Sequence, residues 1–362
     1  MSLAMIDAGA TAAALVPPLP EVPASTAGAA TARLAALFRH SLRAGQVHPA
    51  LHLLQRHRAL PGVLESAVPA APRSAAAPVL AQPLGEAALE RSVGELPALP
   101  QIVLELMTLL QDDNVNAADF ATRIAQDQTL VARTLRLANS PFYGVSGRVG
   151  TIHDAVQVLG MRTVGTLLMT AAVSSRIAQP DCPGFDFPGF WKHALATGIT
   201  ARALARAARL NGDMAFAAGL LHDIGRLVLA SRFPQQLAAA IGHSAMADCP
   251  EIEAEHALLG CDHADVGTHV AKRWHFPAAV VDAIARHHRP GEGANQPASI
   301  TDAVHVADAL AHGLDLTGQP SEAVPGAVLA AWSRLALADA QYMSILEQTE
   351  EGVTALCEAL AL

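Results

Sequence analysis

The chain has 362 residues, a length that suits about two domains. Half of it is hydrophobic (51%), yet aromatics supply only 4% and the net charge is −9. Ala- and Leu-rich apolar surface favours helices over strands, and the acidic balance excludes nucleic-acid binding through bulk positive charge. Cys182, Cys249, Cys261 and Cys357 form no Cys-x-x-Cys pair, which fits a reducing cytoplasm better than a disulfide framework. No uninterrupted apolar run reaches the roughly 18 residues of a membrane span. The first basic residue is Arg33, so a secretory leader is not expected.

In chain order, residues 1–30 are Ala- and Pro-rich without apolar periodicity, which predicts disorder. Residues 31–60 are helical in pattern, with Leu34, Leu37, Phe38 and Leu42 on one face and Leu51 and Leu54 beginning a second turn. This segment carries Arg33, Arg39, Arg43, Arg56 and Arg58 and no acid. It reads as a short solvated helical pair or as a docking segment for an acidic surface. Residues 61–92 read as an Ala/Pro linker.

Regular structure is expected from Leu96-Pro-Ala-Leu-Pro100 onward. A first helix carries Ile102, Val103, Leu106 and Leu110. Asn116 can cap a second, with Phe120 and Ile124, and a third covers about 128–139. Asn139-Ser-Pro-Phe-Tyr-Gly144 breaks that run. Thr151 caps a helix that ends at Gly160, and an apolar helix follows over about 161–178. No strand pattern is evident. The expected architecture is all-α, a multi-helix domain in two packed parts that meet near Pro180–Pro188. Beyond residue 316, Val328, Trp332 and Leu335, then Ile345, Val353 and Leu356, predict a helical extension made acidic by Glu347, Glu350, Glu351 and Glu358.

The chemistry lies in the second half. His193 sits near the start of one helix. Ala218-Gly-Leu-Leu-His-Asp-Ile-Gly-Arg226 lies in another helical run. Asp262-His263 starts a third helix, His287-His288 ends a fourth, and Asp308 sits in a fifth. Imidazole and carboxylate together suit divalent transition metals, and a His-Asp pair lets one carboxylate bridge two ions. Each member alone has a bland reading as a hydrogen-bonded core residue or a helix-terminal His. The ordered set, one member per helix, is more specific.

The order His193, then His222-Asp223, then Asp308 resembles the HD superfamily of metal-dependent phosphohydrolases. Gly219-Leu-Leu-His-Asp-Ile-Gly-Arg-Leu-Val-Leu229 and Leu259-Gly-Cys-Asp-His-Ala-Asp-Val-Gly267 resemble its HDOD branch. Trp274, Pro277 and His287-His288 agree, as do Leu96-Pro-Ala-Leu-Pro100, Ala138-Asn-Ser-Pro-Phe-Tyr-Gly144 and Ala155-Val-Gln-Val-Leu-Gly160 in the front half. The resemblance implies an HDOD domain over residues 93–315, followed by an extension over 316–362. It also implies a role as a signal-transduction output module related to the HD-GYP phosphodiesterases of cyclic di-GMP. Metal ligands would come from His193, His222, Asp223, His263, His287, His288 and Asp308, for one or two ions of iron, manganese or zinc. Catalysis, if present, would draw on Asp223 and Arg226. Arg226 stands where the related hydrolases carry Lys, and Arg289-Pro-Gly-Glu-Gly293 replaces their Gly-Tyr-Pro motif. Both departures favour a regulatory module with a protein signalling partner, or a homodimer, over a phosphohydrolase. No direct nucleic-acid binding is expected.

Overall fold

The computed structural model describes residues 24–60, 83–96, 105, 116–140, 147–161, 163–165, 168, 180–291 and 293–360. No strand occurs among them. An N-terminal arm contains α1 (Ala24–Leu37), α2 (Arg39–Arg43) and α3 (Pro49–His57), and α4 (Glu86–Gly94) follows. A front group comprises α5 (Ala117–Ile124), α6 (Gln128–Ala138) and α7 (Ile152–Leu159). Its ends are set locally: Asn116 and Thr151 accept from the backbone N–H of Asp119 and Asp154, and Gly160 leaves α7 at φ +81°.

The larger part begins after the irregular stretch 180–186 with α8 (Phe187–Ala207), capped by Asp186 and carrying Pro188 in its first turn. The chain continues through α9 (Gly212–Leu221), α10 (Ile224–Arg232), α11 (Pro234–Ala247) and α12 (Glu251–Leu259). Next come α13 (His263–Arg273), α14 (Ala278–Arg286) and α15 (Ile300–Gly313), then α16 (Leu329–Leu335) and α17 (Asp339–Leu360). α8 is buried on every face, by Trp191, Leu195, Ile199 and Leu204 among others, and lies against α9, α15 and α17. α10 packs on α13, and α14 bridges α9, α13 and α15. The front group joins through α6 on α17, so one apolar core runs through both parts. Among the described residues one run, Gly212–Arg232, is long and apolar enough to cross a membrane, and 78% of its most apolar stretch is buried in this core.

Several expectations need correction. α1 begins at Ala24, inside the stretch expected to be disordered, and α4 begins inside the expected linker. The arm is not solvated: Leu34, Leu37, Phe38 and Leu54 are fully buried, and the arm packs on α15 and α17. Phe38 and Leu54 fill the space beside Gly313, where a Cβ would collide with Leu54. The arm's basic residues meet acids of the same chain. Arg33 pairs with Asp315 at 2.5 Å, Arg39 with Asp248 at 2.6 Å and His57 with Glu350 at 2.9 Å. Arg56 pairs with Asp339. All but Glu105 of the helix expected around Ile102–Leu110, much of the one expected over 161–178, residues 1–23 of the stretch expected to be disordered and residues 61–82 of the expected linker lie outside the described residues.

Candidate metal centre

Two close backbone contacts assemble the centre. At Gly219 on α9 an added Cβ would lie 2.8 Å from the carbonyl oxygen of Thr197 and 3.0 Å from Gly198 Cα, so α9 presses on α8 at the level of His193 and His222. At Gly225 on α10 a Cβ would fall on the carbonyl oxygen of His263 and 2.6 Å from Gly267 N. That approach sets α13 beside Asp223. His222 and Asp223 are not inside one helix, as the apolar run suggests. They are the C-cap of α9 and the N-cap of α10, at a break that turns both side chains into the interior.

The seven residues expected from the sequence converge. His193, His222 and Asp308 form one set whose nitrogen and oxygen atoms lie within 4.8 Å of one another; Asp223, His263, His287 and His288 form a second. His193 Nε2 is 3.1 Å and His222 Nε2 3.5 Å from Asp308 Oδ1. Asp223 Oδ1 joins the sets, at 3.2 Å from His263 Nε2 and 3.5 Å from the Nε2 atoms of both His222 and His287. The rings face each other through Nε2: His193 to His222 at 3.4 Å, His263 to His287 at 3.4 Å and His263 to His288 at 2.9 Å.

The outer nitrogens decide what those Nε2 atoms can be. Gly219 O lies 2.7 Å from His222 Nδ1, and Ile284 O lies 2.9 Å from His287 Nδ1. A carbonyl only accepts, so both Nδ1 atoms carry a proton, and Nε2 of each ring is the nitrogen left facing inward as the potential metal donor. His263 Nδ1 donates to Glu255 Oε2 at 2.6 Å, and its backbone N–H donates to the same oxygen. Asp308 Oδ1 is buried without a well-aligned hydrogen bond despite the nearby imidazoles. Inward-facing nitrogens and a buried carboxylate oxygen gathered this closely can hold a cation between them. The donor set is therefore suited to divalent metal.

The electrostatics agree. Burial alone would raise Asp223, but His222, His263 and His287 hold its carboxyl well below the usual range. Burial opposes the Asp308 charge too, and His312, His193 and His222 outweigh it. Burial, reinforced by His287 and His263, keeps His288 well below the ordinary histidine value. Burial would also lower His263, yet Glu255 and Asp223 push it up to about 9.

Four residues absent from the sequence reading complete the surroundings. Glu255 orients His263. His312, one turn after Asp308, lies 3.3 Å from Asp308 Oδ1, stacks on His193 with ring centres 4.1 Å apart, and is bonded through Nδ1 to Glu322. His305 donates from Nδ1 to His287 O at 2.7 Å and accepts from Val328 N at 3.0 Å, fixing the His pair. The spacing of His312 from Asp308 is a readable signal; no rule marks Glu255, His305 or Glu322. The loop after the His pair is held from the extension: Arg334 on α16 forms a buried pair with Asp302 and donates to the carbonyls of Pro290, Gly291 and Gly293. Arg226, the other candidate for chemistry, lines the same cavity but is ion-paired with Glu251.

A model of the HDOD domain family matches residues 96–290. The chain belongs to that family. The match takes in His193 through His288, while Asp308 and His312 lie beyond it. A Treponema pallidum (strain Nichols) protein of uncharacterised function is 28% identical over 249 residues, 67% of this chain and 47% of that one, so this HDOD chain spans about half the length of that curated relative. An HDOD domain protein of unknown function from Geobacter sulfurreducens has a similar structure, with a TM-score of 0.58, 25% identity, and coverage of 75% of this chain and 95% of that one. A candidate phosphohydrolase from Shewanella amazonensis SB2B aligns with a TM-score of 0.53 and 28% identity over 73% of this chain and 98% of that one.

Proposed function

We propose that this HDOD protein is a cytoplasmic signal-transduction output module whose His/Asp centre binds one or two divalent ions of iron, manganese or zinc. It would act through contacts with a signalling partner or a second copy. The observation that carries the metal reading is the convergence of inward-facing Nε2 atoms on Asp223 Oδ1, with their Nδ1 protons committed to Gly219 O and Ile284 O. His193, His222 and Asp308 would hold one ion, His263, His287 and His288 the other, and Asp223 would bridge them. Ions held there would supply positive charge able to polarise a phosphoryl group. Arg226 is committed to Glu251, which leaves the phosphate without the compact cation that the related hydrolases carry. That commitment favours a regulatory over a hydrolytic role. The free cysteines fit a reducing compartment.

The second reading is a metal-dependent phosphohydrolase acting on cyclic di-GMP or another phosphodiester. The complete donor set favours it, as does the likeness to the Shewanella protein. Purified protein loaded with manganese, iron or zinc should give no release of product from cyclic di-GMP or bis-(p-nitrophenyl) phosphate above the metal-only background. Turnover that disappears in Asp223→Ala would establish the hydrolase instead.

A further inference from the structure

A cavity of about 180 Å³ opens on the centre, where His193, Asp223, His263, His288, Asp308 and His312 line it. It is also lined by Arg39 and His40 of the arm and by a strap of chain, residues 317–325. The strap and the arm are anchored by different physics. Leu34, Leu37, Phe38 and Leu54 of the arm are wholly buried, so apolar contact holds the arm down. In the strap only Val324 is buried, and Gly318 through Ser321 are exposed. Polar bonds hold it, and most run to the arm. Arg33 donates to Gln319 O at 2.7 Å, Val324 N donates to Leu37 O at 2.8 Å, and His48 Nε2 bonds Pro325 O at 3.0 Å. The Gln319 amide donates to Asp186 Oδ2 at 2.8 Å, and one guanidinium of the arm gathers two strap carbonyls. Arg39 donates to Glu322 O at 2.6 Å, to Ser321 O at 3.0 Å, to Ala36 O at 2.9 Å and to Asp248 Oδ1 at 2.6 Å. On its inner side the strap reaches the centre through Glu322, whose carboxylate bonds His312 Nδ1 and accepts from Thr317 at 2.8 Å.

We propose that residues 317–325 are a gate over the candidate metal centre, latched shut by Arg39 of the N-terminal arm. Releasing the guanidinium frees the Ser321 and Glu322 carbonyls together. The middle of the strap can then swing out between its remaining ties at Gln319 and at Val324–Pro325, withdrawing Glu322 from His312 while the arm stays docked by its apolar face. What the gate guards rests on the metal reading of the centre; the existence of the gate does not. The arm precedes the part of the chain that the family model matches, so the latch joins a segment outside that match to a centre most of whose residues, His193 through His288, lie within it.

The test is hydrogen exchange by mass spectrometry on the full chain, comparing wild type with Arg39→Ala and with Asp248→Asn, which loosens the latch from its other end. Asp248 also pairs with His40 and Arg43 of the arm, and it sits at φ +49°, a conformation Asn tolerates, so the second variant leaves the backbone there unstrained. Exchange across 317–325 should rise about tenfold in both variants while α1, α3 and the core keep wild-type protection. A chelator should also strip manganese from the variants faster than from wild type. Unchanged exchange in the strap overturns the gate. So does a parallel rise in strap, arm and core, which would make Arg39 a general support of the fold. If wild type takes up no manganese the metal reading fails, and the exchange pattern still decides the gate.

Discussion

At the scale of single residues, the centre works by fixing protons on the outside so that Nε2 atoms face inward. Glu255 shows this most directly, since one of its oxygens receives both the ring and the backbone N–H of His263. Glu255→Gln keeps the shape but removes the charge that orients and enriches the imidazole. It should weaken metal binding by about tenfold to a hundredfold, read by competition with a chromophoric chelator. Wild-type affinity in that variant would show that His263 needs no such support. The seven converging residues were legible in the sequence because they fall, singly or as adjacent pairs, in a recognisable order along successive helices. Glu255 and Glu322 were not, because a lone acid that will be brought to a His by tertiary packing looks like any surface acid. His312 was half legible: its spacing puts it on the face of Asp308, but that face becomes a site only when α8 packs against it.

At the scale of elements, helix ends and close approaches place the side chains. The caps at Asn116 and Thr151 were readable because the capping bond is made within four residues. The break between α9 and α10 was not, since residues 218–226 are continuously compatible with a helix and the interruption answers to the packing of Asp223. Gly225 is the element-level control point. Gly225→Ala should cost about 3 kcal/mol of stability, because the new methyl meets the rigid backbone of α13 at His263 and has no flexible neighbour to displace. Urea denaturation followed by circular dichroism measures it. A midpoint equal to wild type would mean that α10 and α13 can separate, and that His263 is not held beside Asp223 by this contact.

At the scale of the whole molecule, the segments on either side of the family match are part of the same body. The arm covers α15 and α17, and the extension supplies Arg334 to the loop after the His pair. The sequence showed the opposite charges of the arm and of the acidic tail but not their contact. Charge complementarity is non-directional and does not say whether the acid belongs to the same chain. Two of the arm's acidic partners, Asp248 and Asp315, lie outside that tail. The account as a whole turns on the centre that these pieces surround. The most direct measurement is calorimetric titration of chelator-stripped full-length protein with manganese, in parallel with Asp223→Ala. The account predicts saturable uptake of one or two ions per chain by wild type, and none by a variant that remains folded by circular dichroism. Failure of the wild-type protein to take up manganese, iron or zinc would contradict it, and would leave the inward-facing imidazoles as a protonated, hydrogen-bonded core.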